Sequence, residues 1–402
     1  MRCETDQVTV QRTQRKIARA LGILIVSTVS TAISVAVADV VMDALQEHER
    51  PSFYTNLTPA ELAKLPVRTS GTITGAYLDD IVDLPWHEPG QFWVWAGQRD
   101  RAVEFLVKGR WNNIGCHDNV DYPMSTRPAV LFLGDSFVET MQLDIRDTFH
   151  DRLRHTSFGT RFDVWACGVA GWNPTRVSRY MNDDPRIVEI PALRQLAKLK
   201  PAYVMYFVFI GNDLRDQAGP SFEDALASAP HCASPVAPSA SLLWFKVRQV
   251  ADMYFTRGGS EYRCIDNQFW PYVPAHIPAV EDGWKAMFEG LDRLHGTITE
   301  RGARLIVSMI EPFPIPYGMW TTQSVIRANY PGGKALSLDP SLPRNRLRAY
   351  AASRGLTFVD ISEVLRGCGG HDHYYPHDEH FTANGHRCLA EYLDSHQEML
   401  FP

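Results

Sequence analysis

A serine stands at the end of a short apolar run, where residues 129–133 are followed by Gly134-Asp135-Ser136. The run predicts a strand buried on both faces, and the turn places the Ser136 hydroxyl at the carboxyl end of that strand. In open α/β sheets this edge binds ligands, and a serine on a strand-to-helix turn can serve as a nucleophile there. Gly-Asp-Ser is also ordinary turn chemistry, so the assignment depends on which other residues reach the same edge.

An acid and a base for that serine occur near the end of the chain, at Asp378 and His380. Attack of a serine on an ester needs a base for the hydroxyl proton, a carboxylate to orient the base and donors for the developing oxyanion. The two residues lie on one loop, immediately before a predicted helix. Glu379 and Asp372 are alternative sources of the carboxylate.

Two further loops offer hydrogen-bond donors for an oxyanion. Gly171 follows a predicted strand at 162–167, and its lack of a side chain lets an oxygen approach the backbone amide. Asn212 follows a predicted strand at 203–210 and offers a side-chain amide. Separate loops therefore supply a nucleophile, an acid–base pair and donors, which together make an acyl-transfer site.

Strands and helices alternate from residue 129 onward, and this pattern predicts a parallel sheet in a three-layer α/β arrangement. The predicted strands span residues 129–133, 162–167, 203–210, 304–310 and 356–359. The predicted helices cover residues 147–154, 193–198, 284–302 and 344–353, and two more begin near 175 and 384.

With these blocks in this order, residues 128–395 resemble the SGNH (GDSL) hydrolases. The resemblance implies a flavodoxin-like parallel sheet and a site without a cofactor. It assigns Ser136 as the nucleophile and Gly171 and Asn212 as the two further oxyanion donors. It assigns Asp378 as the orienting acid and His380 as the general base. The backbone amide of the nucleophile would be the first oxyanion donor.

The chain departs from the family pattern in two blocks. It has Ile210-Gly211-Asn212-Asp213 where the third block usually reads Gly-x-Asn-Asp, and Asp-x-His where Asp-x-x-His is commoner. The shorter spacing is similar to that of membrane-anchored and polysaccharide-acetylating branches. The sequence does not show which acceptor receives the acyl group, and we expect first an esterase or deacetylase acting on an extracytoplasmic glycan or lipid ester. The alternatives are an O-acetyltransferase for a cell-envelope polysaccharide, with possible partners in such a system, and an inactive, membrane-tethered glycan-binding protein.

The first residues predict a membrane anchor. Residues 20–38 carry no charge, are preceded by four basic residues from Arg12 onward and are followed by acidic residues from Asp39 onward. We expect a span over residues 20–42 with a cytoplasmic tail at 1–19 and a periplasmic remainder. The alternative is a secreted chain cleaved near Ala38, where a small-x-small sequence occurs.

Composition and spacing set the remaining organisation. The net charge of −6 over 402 residues, with no basic patch, argues against a nucleic-acid partner. Residues 43–127 predict a lead-in with β-hairpins, and residues 128–402 a hydrolase domain with an insertion at 215–280 that is either a lid or a passive excursion. The tryptophans of the lead-in fit a core better than a sugar platform; they are Trp86, Trp93, Trp95 and Trp111.

Cysteines and histidines give further expectations. We predict a disulfide between Cys232 and Cys264, which bracket a Pro/Ser-rich stretch, and leave open whether Cys368 pairs with Cys388 or Cys116. Cys167 fits a buried apolar residue.

The histidine-rich C-terminal loop raises the question of a metal. The possible ligands are His371, Asp372, His373 and His377, and we predict that they hold none. His386, in the last helix, fits a packed or capping role.

Overall fold

The computed structural model describes residues 89–90, 92–99, 102–123, 127–182, 191–214, 267–274, 276–313, 315, 338–370, 372–375 and 378–402. All of them belong to one compact unit. The predicted anchor, the predicted Cys232–Cys264 disulfide and residues 215–266 of the insertion lie outside the described residues. Among the helices of the described ranges, none has the length and apolar character needed to span a membrane.

A β-hairpin comes first. Strands β1 (Phe92–Arg99) and β2 (Ala102–Arg110) pair antiparallel, and a register shift between Gly97 and Gln98 interrupts the ladder. Both strands lie where the alternating sequence predicts hairpins. Trp111, directly after β2, is fully buried, as expected for a core tryptophan.

The remaining strands form one parallel sheet. They are β3 (Ala129–Gly134), β4 (Asp163–Gly168), β5 (Tyr203–Phe209), β6 (Arg304–Ile310) and β7 (Thr357–Asp360). Their order across the sheet is β4-β3-β5-β6-β7. This is the flavodoxin-like order that the resemblance implies, in which ligands bind where the winding reverses. Here the reversal lies between β3 and β5.

Helices cover both faces of the sheet. They are α1 (Ser136–Glu139), α2 (Phe149–Arg154), α3 (Ser157–Arg161), α4 (Pro174–Met181), α5 (Pro191–Lys198), α6 (Pro278–Glu300), α7 (Ser341–Ser353), α8 (Ile361–Cys368), α9 (Ala383–Ser395) and α10 (Gln397–Leu400). Short 3-10 helices occur at Ile145–Asp147 and Asn267–Tyr272.

Alternate residues of each central strand enter different cores. Leu131 and Leu133 pack with residues of α4, α5, α6 and α7, whereas Val130 and Phe132 pack with residues of α2, α3, α8 and α9. Because side chains alternate across a strand, two apolar layers require a strand that is apolar throughout. The uninterrupted apolar run at residues 129–133 thus lies in β3, an interior strand of a three-layer α/β/α domain.

The segment between the hairpin and β3 packs into the same domain. Ile114, Cys116 and Tyr122 belong to one of the two cores, and a disulfide joins Cys116 to Cys167 on β4. The expectation that Cys167 is only a buried apolar residue is therefore wrong: it is buried, but it is covalently bound. A second disulfide joins Cys368 to Cys388, one of the two pairings left open by the sequence.

Candidate active site

The turn that carries Ser136 is built by close packing of α1 on the sheet. Asp135 caps α1 by accepting a hydrogen bond from the Phe137 amide at 3.0 Å. A Cβ on Gly134 would collide with Val138, and a Cβ on Gly168, its direct partner on β4, would collide with the backbone of α1. Both glycines are therefore required for α1 to lie this close to the strands. Ser136, the first residue of α1, is half-buried at the carboxyl edge.

Ser136, His380 and Asp378 form one hydrogen-bonded line. The Ser136 hydroxyl oxygen lies 2.7 Å from His380 Nε2, and His380 Nδ1 lies 2.7 Å from Asp378 Oδ1. A carboxylate only accepts hydrogen bonds, so Nδ1 carries the ring proton and Nε2 presents its lone pair to the serine. This is the arrangement that activates a serine hydroxyl.

The loop that holds Asp378 and His380 is fixed by its own backbone. The Tyr375 amide donates to the His380 carbonyl at 2.8 Å, and the Glu379 amide donates to the Tyr375 carbonyl at 3.0 Å. Glu379 has a left-handed backbone with a φ of 66°. Such conformations are rare outside glycine and cluster at functional sites. Here the bend lets two side chains only one residue apart meet.

The two alternative acids are directed elsewhere. Asp372 Oδ1 accepts a hydrogen bond from the Asn384 side chain at 2.7 Å. Glu379 Oε2 lies 3.4 Å from the Gln268 side-chain nitrogen. Asp378 is thus the carboxylate that contacts the imidazole, as the resemblance implies.

The surroundings of His380 set its protonation. Its side chain is 23% exposed, whereas that of Asp378 is 4% exposed. Loss of water around the ring lowers the pKa of His380, but the charge and hydrogen bond of Asp378, with a contribution from Asp135, outweigh it and raise this pKa above its ordinary value. The ring also packs against Phe137, with centroids 4.7 Å apart, which restricts its orientation.

Gly171 and Asn212 lie on the neighbouring loops of the same edge. Gly134 at the end of β3 pairs with Gly168 at the end of β4, so the loops after these two strands begin level with each other. Leu133 pairs with Tyr206, and β5 continues to Phe209, so its loop begins two residues farther out on the same edge. Gly171 has a left-handed backbone with a φ of 73°. The loop of Asn212 is anchored by Asp213, which accepts a hydrogen bond from the Phe209 amide at 3.1 Å.

The structure describes some of the histidines of the C-terminal region and not others. His371 and His377 lie outside the described residues. His386 is packed, as predicted: its Nδ1 accepts the Phe149 amide at 3.1 Å, and its ring stacks on that of Phe149. Burial lowers the pKa of His386 well below its ordinary value, so the ring stays neutral and can accept this bond.

One group of potential metal ligands occurs in the described part of the chain. The side-chain donor atoms of Cys368, His373 and Cys388 all lie within 4.8 Å of one another. Both sulfurs are joined in a disulfide, which leaves no thiolate to bind a metal.

Sequence reasoning missed Phe137 and Glu139. Phe137 supports the His380 ring, and Glu139 is buried with its carboxylate 3.0 Å from the Ala170 amide. The Gly-Asp-Ser turn predicts a helix after the serine, but nothing in the local sequence signals that Glu139 faces the interior. Its contact joins residues 31 positions apart.

Comparisons with known proteins give likeness of fold only. No protein-family model matches the chain, and no curated protein sequence matches it significantly. Among solved structures, it is similar to a member of the lipolytic protein G-D-S-L family from Veillonella parvula, with 10% identity, a TM-score of 0.34, and coverage of 66% of this chain and 96% of that one.

Two further solved structures are similar. One is a GDSL-like lipase from Bacteroides thetaiotaomicron, with 12% identity, a TM-score of 0.32, and coverage of 70% of this chain and 92% of that one. The other is an alpha/beta hydrolase enzyme from the metagenome of Lake Arreo, with 15% identity, a TM-score of 0.35, and coverage of 69% and 99%. Likeness at this level does not assign an activity, which depends on the geometry of the residues themselves.

Proposed function

We propose that the protein is a serine-dependent ester hydrolase of the SGNH type. The observation that carries the proposal is the hydrogen-bonded line from Ser136 through His380 to Asp378, with 2.7 Å at each link. It lies at the carboxyl edge of a parallel sheet, beside the strand at which the winding reverses. Ser136 is the nucleophile, His380 the general base and Asp378 the orienting acid.

In the first half of the reaction, Ser136 Oγ attacks the ester carbonyl carbon. A new C–O bond forms, the carbonyl π electrons move to the oxygen, and His380 Nε2 takes the hydroxyl proton. Asp378 holds the ring in the reactive tautomer and stabilises the imidazolium that forms. Collapse of the tetrahedral intermediate breaks the bond to the alcohol, which receives the proton from His380. An acyl-Ser136 enzyme remains.

The developing oxyanion needs donors at the same edge. In the proposed mechanism these are the backbone amides of Ser136 and Gly171 and the side-chain amide of Asn212. Their support is positional, because the loops that follow the neighbouring strands β3, β4 and β5 lie at the same carboxyl edge of the sheet. Removal of one donor of this kind typically lowers kcat about 10²–10³-fold.

In the second half, an acceptor oxygen attacks the acyl-serine carbonyl. His380 takes the acceptor's proton and returns it to Ser136 Oγ as the acyl bond breaks. With water as the acceptor, the product is a free acid. A sugar hydroxyl as the acceptor would make the same site an O-acetyltransferase, so the test below includes one.

The substrate class and location are part of the proposal. The uncharged residues 20–38 and the charges around them support a domain held outside the cytoplasmic membrane, near acylated glycans or lipids of the envelope. The Cys116–Cys167 and Cys368–Cys388 disulfides support an oxidising compartment.

The direct test is release of acetate and p-nitrophenol from p-nitrophenyl acetate by the full chain in detergent, with and without acetylated and unacetylated oligosaccharides. We expect hydrolysis by the wild type and a loss of at least about 10³-fold in Ser136→Ala, because the acyl-enzyme cannot form. Ser353→Ala changes an exposed serine, the last residue of α7. It is the matched serine control and should retain activity.

The outcomes separate the alternatives. Acetyl groups that appear on oligosaccharide instead of in water would favour the transferase. A folded wild type that hydrolyses no ester, or that is unaffected by Ser136→Ala, would contradict the hydrolase and favour a binding protein.

A further inference from the structure

A buried carboxylate, Glu139, lies beside the proposed nucleophile but outside the Ser136–His380–Asp378 line. It is the last residue of α1, three positions after Ser136, and only 3% of its surface is exposed. Burial of a carboxylate is costly unless strong hydrogen bonds compensate for the lost water. The group that Glu139 bonds is therefore informative about why it is buried.

Glu139 Oε2 accepts a hydrogen bond from the Ala170 backbone amide at 3.0 Å. Ala170 lies between Gly168, where β4 ends, and Gly171, the proposed oxyanion donor. The contact is possible because α1 lies directly against Gly168, where a Cβ would collide with the Glu139 backbone amide. The carboxylate thus fixes the peptide unit that immediately precedes the one bearing the Gly171 N–H.

A second charged residue fixes the other side of Gly171. Arg176 on α4 donates from Nη1 to the Gly171 carbonyl oxygen at 2.9 Å. The loop is also closed by a bond of 2.9 Å from the Trp172 amide to the Val169 carbonyl. The peptide units on both sides of the Gly171 N–H are therefore held by charge-assisted bonds, which are about twice as strong as neutral ones.

Glu139 is itself held in place. His117 Nδ1 lies 2.9 Å from the Glu139 carbonyl oxygen and 3.3 Å from Thr140 Oγ1. Thr140 ends α1 in a left-handed conformation with a φ of 58°. The backbone of Glu139 is consequently fixed at the end of α1, the short helix that begins with the nucleophile.

We propose that Glu139 and Arg176 are positioning residues that aim the Gly171 N–H at the oxyanion formed on attack by Ser136. This rests on the proposed ester hydrolysis. The two bonds tie the donor loop to α1 on one side and to α4 on the other, so nucleophile and donor keep a fixed relation. A loop released from either bond still contains the donor, but its N–H no longer points steadily at one position.

The kinetic test compares Glu139→Ala with Glu139→Gln, and Arg176→Ala with Arg176→Lys. The alanine variants should lower kcat about 10–100-fold, less than removal of a donor, with KM changed less than about threefold, because the oxyanion exists only after attack. Glu139→Gln keeps an acceptor oxygen and should recover most of the rate. Arg293→Ala is the control and should leave kcat unchanged. Arg293 lies on α6 and donates to Thr175 on α4, the helix that also carries Arg176.

A structural readout independent of activity is hydrogen–deuterium exchange of the peptide containing residues 168–172. Exchange should accelerate at least about tenfold in the alanine variants and little in Glu139→Gln. Unchanged exchange, or a loss that appears in KM while kcat is retained, overturns the positioning role. If Glu139→Ala does not fold, Arg176→Ala provides the same test. An inactive wild type overturns the proposed function and the positioning role with it, whereas an active wild type with insensitive variants overturns the positioning role alone.

Discussion

One residue, Glu379, separates Asp378 from His380, and its left-handed backbone lets the two side chains meet. The acid contacts Nδ1 at 2.7 Å, and the serine contacts Nε2 at the same distance. The sequence offers two other carboxylates, Glu379 and Asp372, and geometry separates them from Asp378, since only side-chain direction distinguishes neighbouring acids on one loop. Asp378 is the one that both holds the ring and raises its pKa.

The pH dependence of the rate tests that assignment. The active form of His380 is neutral and the pKa of the ring is raised, so kcat/KM should fall on the acid side with a midpoint above the ordinary 6.5. Asp378→Asn removes the charge that raises the pKa and the acceptor that fixes the tautomer. We expect its rate to drop about 10³–10⁴-fold and the acid limb of the residual activity to move to lower pH.

The measurement is kcat/KM for a neutral ester from pH 5 to 9. Asp372→Asn is the control, because that side chain bonds Asn384 and should leave both rate and profile unchanged. If Asp378→Asn leaves the pH profile unchanged and Asp372→Asn loses the activity instead, the assignment of Asp378 as the orienting acid is wrong.

At the scale of elements, all five strands of the parallel sheet were predicted, whereas some of the short helices were not. The strand β6 has the predicted bounds, Arg304–Ile310, and β3 and β5 differ from prediction by one residue at the carboxyl end. Buried parallel strands carry long apolar runs that few other structures need. By contrast, α3 and α8 were missed, because helices this short show little periodicity and are stabilised by caps and by packing on the sheet.

The ends of β6 and β7 are joined to two helices by a charge cluster in which both carboxylates are buried. Glu311 and Asp360 face Arg344 of α7 and Arg366 of α8, with Arg344 Nε 2.5 Å from Asp360 Oδ2. Burial, and then the charge of Asp360, raise the pKa of Glu311 to about 7 from its ordinary 4.5, although both arginines oppose the shift.

This cluster should make stability depend on pH. Folded Glu311 keeps its proton up to about pH 7, whereas unfolded Glu311 releases it near 4.5. The contribution to folding is thus complete below 4.5 and is lost as the pH rises through 7. The free energy of unfolding of the wild type, relative to Glu311→Gln, should fall by about 2–3 kcal/mol between pH 5 and 8.

Denaturant unfolding of both proteins at the two pH values measures that difference. Glu300→Gln, at an exposed position at the end of α6, is the control and should show no such change. A constant difference between wild type and Glu311→Gln would show that Glu311 does not hold a proton in the folded state.

For the whole molecule, the sequence predicts the α/β architecture but not the residue at which the domain begins. Residues 111–123 precede the predicted start of the domain, yet Cys116 is bonded to Cys167, and Arg154 Nη1 donates to Asp118 at 2.9 Å. Such pairings join residues far apart in the chain, and spacing alone does not identify disulfide partners. Alternating strands and helices predict a parallel sheet with its loops at shared edges, and the motifs that resemble the family allowed Ser136, His380 and Asp378 to be named in advance.

The same reasoning explains why Glu139 and Arg176 were not predicted. Their roles depend on backbone groups of residues 170 and 171, and backbone contacts leave no mark on residue identity. A sequence pattern identifies groups that react, whereas the groups that hold a loop are identified by the folded chain.

The most direct test of the account is covalent labelling of the full chain with a fluorophosphonate at pH 8, followed by peptide mass spectrometry. A serine activated by a neutral histidine should attack phosphorus and displace fluoride. We predict one phosphonyl group per chain, located on Ser136, with labelling lost in His380→Ala and in unfolded protein. A folded chain that leaves Ser136 unlabelled, or that is labelled equally in His380→Ala, would contradict the proposed catalytic site.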